Sequence, residues 1–198
     1  MTLDTAAGQT QVPSARPSEA RERLLRVASE LFYREGIHRT GMDRILSDAG
    51  VTRATMYRHF VGKESLVAAY LRREDDAIRT AFTAAMTPDS SPSDLVDHLL
   101  EAIADDIALN HTRGCPFINA AVEYPDATGE VRRIVAEHRA WFRDAVHSAL
   151  EASGAADPAE DTEALVLLRD AALIGGYLDG ATATRATFLR TARRALEH

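Results

Sequence analysis

The chain has 198 residues, 45% of them hydrophobic and 27% charged, which allows one or two packed domains and excludes collagen-like and wholly disordered chains. Charged residues interrupt every apolar stretch approaching the roughly 18 residues that a bilayer crossing needs, and no basic segment followed by an apolar one opens the chain, so neither a membrane span nor a secretory signal is expected. The net charge of −7 argues against a polyanionic partner only as an average: residues 1–60 hold nine Arg against seven acidic residues, +2, while residues 61–198 hold 14 basic against 23 acidic, −9. The first part alone is suited to approach phosphate. The single cysteine, Cys115, has no internal disulfide partner, in keeping with a reducing cytoplasm.

Residues 1–17, rich in Thr, Ala, Gln, Ser and Pro, have little to bury and read as a disordered arm. Ser18 offers an N-cap to a helix carrying Leu24, Leu25, Val27, Ala28, Leu31 and Phe32 at spacings of three and four, with Gly36 at its end. A short helix over Met42–Ala49 follows, with Met42, Ile45, Leu46 and Ala49 on one face, and Gly50 stops it. Thr52 then caps a helix of about two turns, Arg53–Phe60, expected to turn Ala54 and Met56 inward and Arg53, Thr55, Tyr57, Arg58 and His59 outward. After Gly62, Lys63-Glu64-Ser65 opens a longer helix with Leu66, Val67, Tyr70 and Leu71. Two short helices joined by a tight glycine-containing turn form the helix-turn-helix pattern, whose second helix enters a major groove of DNA.

The run Thr87–Ser93 reads as a loop between modules, and everything beyond it as helical. Leu95, Leu99, Ile103 and Ile107 stripe one helix, and Pro116 suits the first turn of a shorter one, Phe117–Glu123. A stripe from Val131 to Leu150 marks a long helix within Thr128–Ser153, and two more run near Ala159–Leu178 and Thr184–Glu197. The fold class is therefore all-α with about nine helices.

The stretch Thr40–Glu64, TGMDRILSDAGVTRATMYRHFVGKE, resembles the DNA-binding signature of the TetR family of transcriptional regulators, through the Ala49-Gly50-Val51 turn, the Thr-x-x-Tyr-x-x-Phe order and the Lys63-Glu64 pair. The resemblance implies a three-helix DNA-binding domain with a helix-turn-helix over residues 18–64 and a helical ligand-binding and dimerisation domain over 65–198. It implies that Thr40, Thr52, Tyr57, His59 and Lys63 meet the DNA backbone or base edges. Hydroxyls, a phenol and a lysine near helix N-termini suit phosphate contacts. Base choice falls to Arg53, Thr55 and Arg58, with Arg53 first, since an arginine fork grips guanine O6 and N7. Gly41 and Ala54 depart from the family pattern, which favours a hydroxyl residue and glycine at those positions. Tyr57 and Phe60 also read as core aromatics, and Arg58 as a solvated charge.

For the second half the resemblance implies a small-molecule effector in a helical cavity, and Phe117, Asn119, Tyr124, His138, Trp141, Phe142 and Tyr177 are candidate wall residues. Trp141 and Phe142, at helical phase, read more readily as core. One recognition helix reads only a few base pairs, so a homodimer on a palindromic operator is expected, with Ala171, Ala172, Leu173, Gly175, Gly176, Ala192, Ala195 and Leu196 as the candidate dimer surface. Cys115, ahead of a helix N-terminus, reads as a thiol sensor or as a small buried hydrophobe. Asp97, Glu101 and Asp105 read as a cation-binding patch or a solvated face. No cofactor or metal motif occurs: the seven His are scattered, and Gly-x-Gly-x-x-Gly, Gly-x-Ser-x-Gly and P-loop spacings are missing. A ligand-released repressor is thus the expectation, against a small helical enzyme or a dimerising scaffold with an idle helix-turn-helix.

Overall fold

The computed structural model describes residues 18–86 and 91–197, apart from the side chains of residues 92 and 93. The arm over residues 1–17 and residues 87–90 of the Thr87–Ser93 loop lie outside the described residues. Among the described residues there are nine α-helices and no strand.

Helix α1 (Glu19–Glu35) starts where the Ser18 hydroxyl accepts from the Arg21 amide at 3.2 Å, and it buries Leu24, Leu25, Val27, Ala28 and Phe32. Its apolar spacing of three and four puts those side chains on one face against α2 (Met42–Ala49), which contributes Ile45, Leu46 and Ala49. Gly50 ends α2 in the left-handed region, φ 61° and ψ 39°, where a side chain would be strained, and its amide caps the Leu46 and Ser47 carbonyls.

Helix α3 is shorter than the sequence pattern implies, Arg53–Tyr57 rather than Arg53–Phe60. Beyond Tyr57 the chain tightens: the Arg58 amide donates to the Thr55 carbonyl at 3.3 Å and the His59 amide to Met56 at 2.9 Å, both to the third residue back. The tightening swings Phe60 into the core beside Met56. Met56 faces inward as expected; Ala54 is exposed instead.

Helix α4 (Lys63–Ala85) joins the two halves. Its start is pinned by Ser65, whose hydroxyl accepts from the Gly62 amide at 3.2 Å and donates to the Gly62 carbonyl at 2.8 Å. Its first half buries Leu66, Val67, Tyr70 and Leu71 against α1, with the Tyr70 and Phe32 ring centroids 5.9 Å apart. Its second half runs against α5 (Pro92–Asp105) and α7 (Glu130–Ser153). Helix α5 continues into a π-helical turn, Asp106–Asn110, before α6 (Pro116–Glu123), which opens on the expected proline.

Helices α8 (Pro158–Asp179) and α9 (Ala181–Ala195) fold back on one another through Gly180 and close the bundle. The acidic patch on α5 is occupied by arginines from α9: Arg185 meets Glu101 at 2.6 Å and Asp105 at 2.8 Å, and Arg193 meets Asp97 at 3.0 Å. These half-exposed pairs set the register of α9 more than they stabilise it, since such bridges contribute about 0–1 kcal/mol each.

Candidate nucleic-acid interface and interior cavity

The outer end of the three-helix unit presents the N-terminus of α3. The Thr52 hydroxyl accepts from the Thr55 amide at 3.2 Å and donates to the Thr55 hydroxyl at 3.0 Å, so the first turn of α3 is capped while its side chains stay outside. Thr52, Arg53, Tyr57 and Arg58 are exposed, Tyr57 by 55% despite its aromatic ring. Tyr57 is therefore no core aromatic, whereas Phe60 is one. Arg53 pairs with Asp43 of α2, which ties the head of the recognition helix to the supporting helix. Arg58 donates to the Thr55 hydroxyl at 2.9 Å. Thr55 and His59 are half-buried, and His59 shares a 2.9 Å hydrogen bond with Ser18, the cap of α1.

Thr40 departs from its expected place. Its side chain is 3% exposed and its hydroxyl donates to the Gly36 carbonyl at 2.8 Å, closing the end of α1 rather than facing outward. Lys63 is half-buried, and its ammonium donates to the His38 carbonyl at 3.4 Å; burial lowers its pKa from the ordinary lysine value.

Besides the Arg73–Glu22 ion pair between α4 and α1, two polar links join this unit to α6 and to the 111–115 loop. Glu123, the last residue of α6, accepts from the Ile37 amide at 2.8 Å, the His38 amide at 2.5 Å and His38 Nδ1 at 3.0 Å. Burial raises the Glu123 pKa, but the three donors outweigh it and hold the carboxyl below its ordinary value. Gly36, at φ 96°, takes a backbone conformation beside this seat that a side chain would strain. In the second link, Tyr33 of α1 accepts from the Arg113 amide at 2.8 Å and donates to the Gly114 carbonyl at 3.1 Å, while the Arg113 guanidinium donates to the Tyr33 carbonyl at 3.0 Å. Burial, the largest cause, pushes the Tyr33 phenol up to about 12, so it remains a neutral donor.

Behind these links lies a cavity of about 220 Å³ between α4, α5, the π turn, α7 and α8. Ile78, Phe82, Ile103 and Phe142 give it apolar walls, and Arg169, 3% exposed, is its buried cation. Of the seven wall residues expected from sequence, only Phe142 lines it. Trp141 stands one layer back, its ring edge-on to Phe82 at 5.8 Å and beneath the Arg79 guanidinium at 4.4 Å. Phe117 is fully buried, stacked on the His138 ring at 3.6 Å. His138 gives Nδ1 to Asp75 at 2.7 Å, and burial lowers its pKa to about 4, so this is a hydrogen bond of a neutral imidazole and not an ion pair. Asn119 donates to the Arg113 carbonyl at 3.2 Å, Tyr124 lies against the His38 ring at 5.1 Å, and Tyr177 is exposed under the Arg113 guanidinium. These three serve the α1 links or the surface. Cys115 is buried, with its sulfur 3.8 Å from Arg169.

The expected dimer surface also divides. Ala172, Leu173, Gly176 and Ala192 face the core; a Cβ on Gly176 would come within 3.3 Å of Ile107 of the π turn. Ala195 and Leu196 are half-buried, with Leu196 packed against the core, and Gly175 lies against Thr184. Ala171, as expected, is exposed, and it belongs to a stripe with Leu167, Ile174 and Leu178 at spacings of four, three and four along α8.

A capped, outward-facing recognition helix on a three-helix unit, joined to a helical half that encloses a cavity, defines a helix-turn-helix transcriptional regulator. The family model for bacterial regulatory proteins of the tetR family matches residues 24–70, and the model for the tetracyclin repressor-like C-terminal domain matches residues 92–196. The chain belongs to the TetR family. It is 43% identical to SCO4454, a TetR-family transcriptional regulator from Streptomyces coelicolor, with a TM-score of 0.85 over 90% of this chain and 94% of that one. A TetR transcriptional regulator from Chloroflexus aurantiacus is 25% identical, with a TM-score of 0.69 over 90% of this chain and 92% of that one. The transcriptional activator FasR from Mycolicibacterium smegmatis is 35% identical over 87 residues, 44% of this chain and 40% of FasR. The regulator SrpR from Pseudomonas putida is 31% identical over 90 residues, 46% of this chain and 42% of SrpR, so the matched segment spans less than half of either relative. These relatives are transcriptional regulators and not enzymes, which sets aside the helical-enzyme reading. Among the described residues no helix is long and apolar enough to cross a membrane.

Proposed function

We propose that this regulator is a cytoplasmic homodimeric repressor whose two α3 helices read a palindromic operator and whose grip is released by a small effector in the interior cavity. The reading unit is residues 18–64 and the regulatory unit 65–198. Arg53, Thr55 and Arg58 meet base edges, and Thr52, Tyr57, His59 and Lys63 meet the backbone; Thr40 acts indirectly, by closing the turn that sets α2 against α1. The α8 stripe of Leu167, Ala171, Ile174 and Leu178 supplies the two-fold contact, because an apolar stripe of this kind is unfavourable in water unless a partner covers it.

The observation that carries the proposal is the pair of links at Glu123 and Tyr33. They fasten the end of α6 to the turn before α2, and the 111–115 loop to the last turns of α1. A ligand that shifts the cavity walls therefore biases the spacing of the two reading helices, and it must bind the non-operator spacing more tightly to drive release. Operator and effector then weaken each other by the same factor. The test is a gel-shift titration against the DNA upstream of its own gene, at rising salt, with a reporter gene placed behind that DNA. Steep loss of binding with salt and lower reporter output support the proposal. Binding that ignores salt, or a reporter that the protein switches on, contradicts it.

A further inference from the structure

The cavity has a directional chemistry. Its outer rim is at Ala81 and Asn110, both exposed, and its floor is the buried set Ile103, Phe142 and Arg169. A second hollow of about 440 Å³ shares Ile78, Ala81, Asp106 and Asn110 with it and leads towards solvent. The rim includes the π-helical turn, a distortion that breaks the regular hydrogen-bond ladder and recurs where helices line functional sites.

The charges around the cavity are unevenly matched. Asp105 at the rim is held by Arg185 at 2.8 Å, and Asp106 by His111 Nδ1 at 2.7 Å, so both carboxylates already face a basic group. His111 also lies 3.7 Å from Glu74. Arg169 is less well matched. It takes one oxygen of Asp170 at 3.2 Å, while the other oxygen of Asp170 is held more closely by Arg139 at 2.8 Å. Its second contact, the Cys115 sulfur at 3.8 Å, is a weak acceptor. Both contacts use the same terminal nitrogen, leaving the rest of the fork for the cavity, where the guanidinium carbon lies 4.7 Å from the centre of the Phe142 ring. The Asp106 carboxylate also attracts Arg169 within the cavity but is itself hydrogen-bonded to His111, so a guanidinium bonded to half of one shared carboxylate favours a further anion.

We infer that the cavity binds a small monoanionic amphiphile, its carboxylate or equally acidic oxyanion on the free side of Arg169 and its apolar body along Phe82, Ile103 and Phe142. A cavity of roughly 150 Å³ takes benzene, so 220 Å³ takes a single substituted ring or a chain of about eight carbons. This rests on the proposed ligand-responsive function and gives that ligand its charge and size.

The test uses three probes of equal length on the full chain: octanoate, octanamide and octylammonium. Trp141 is the only tryptophan and touches the cavity wall at Phe82, so its fluorescence reports occupancy. A charge-assisted bond in a buried site predicts saturable binding of octanoate about tenfold or more tighter than octanamide, with octylammonium weakest. Arg169→Gln should bring octanoate and octanamide to equal affinity. Ala102→Leu, which adds bulk to the wall, should abolish both responses and needs no change at Arg169, so the inference stays testable if Arg169→Gln does not fold. Equal binding of octanoate and octanamide, tighter binding of octylammonium, no saturable response to any probe, or an octanoate response that survives Ala102→Leu overturns it. Operator release by uncharged or cationic compounds would sink the charge assignment alone and leave the ligand-responsive reading standing.

Discussion

Replacing Glu123 by alanine removes the acceptor of three hydrogen bonds at one stroke. The Ile37 amide belongs to a residue only 2% exposed and would be left unpaired, at a cost of about 1–3 kcal/mol, whereas His38 is exposed and water can take over much of its share. A net loss near 2 kcal/mol corresponds to a fall in Tm of roughly 4–8 °C for a chain of this size. Glu123→Gln keeps one acceptor oxygen and should lose about half as much. The link also has a pH signature. The folded pKa of Glu123 is depressed, so its contribution is fully present above its unfolded value and is lost as pH falls through the folded one. Both variants should therefore flatten the acid limb of the stability curve. Thermal unfolding across pH, with hydrogen exchange at the Ile37 amide, measures these effects. Glu123→Ala should also leave cavity binding intact while pulling the ligand's effect on operator affinity, commonly about 5–150-fold in allosteric proteins, towards one. An unchanged Tm with unchanged exchange at Ile37 would refute the link.

His111 gives a second, opposite pH dependence. Burial opposes its charge, but hydrogen bonds to Asp106 and Glu74 outweigh that and raise its pKa to about 9, so its contribution is present below about 6.5 and lost as pH rises through about 9. His111→Gln should remove on the order of 3 kcal/mol at neutral pH and erase the alkaline loss, as read by denaturant titration at pH 6, 8 and 10; a parallel alkaline loss in the variant would count against it. Lys63→Ala should weaken binding to all DNA and reduce the salt slope by about one unit, and an unaltered slope would remove its phosphate role. Ile174→Asp, on the α8 stripe, should shift the protein towards monomer in analytical ultracentrifugation; a persisting dimer would move the two-fold contact elsewhere.

The DNA-reading half was legible because its signals are local. Ser18, Thr52, Gly36 and Gly50 mark where helices begin and end, and each acts through its own few neighbours. The place of Thr40 is not legible for the opposite reason: whether its hydroxyl faces out depends on how the Gly36–Gly41 turn closes over the end of α1. The cavity was mostly hidden. Its lining comes from α4, α5, the π turn, α7 and α8, and no spacing in one segment brings Ile78, Ile103 and Arg169 together. Phe117 and Trp141, expected among its wall residues, form the layer behind it. Helix α8 carries leucine and valine on more than one side, with Leu165 and Val166 buried and Leu167 exposed, so periodicity does not separate its core face from its outer one. Gly176, expected on the dimer surface, instead lies against Ile107, where a Cβ would come within 3.3 Å.

The proposed DNA reading rests on Arg53, held by Asp43 at the head of α3, meeting bases in a major groove. Selecting bound fragments from a random DNA pool with the wild-type protein and with Arg53→Ala tests it most directly. The wild type should enrich a two-fold symmetric motif, and the variant should lose about 1–3 kcal/mol on that motif and relax preference at one position in each half-site. No enriched motif, or the same motif recovered at full preference by Arg53→Ala, would contradict it.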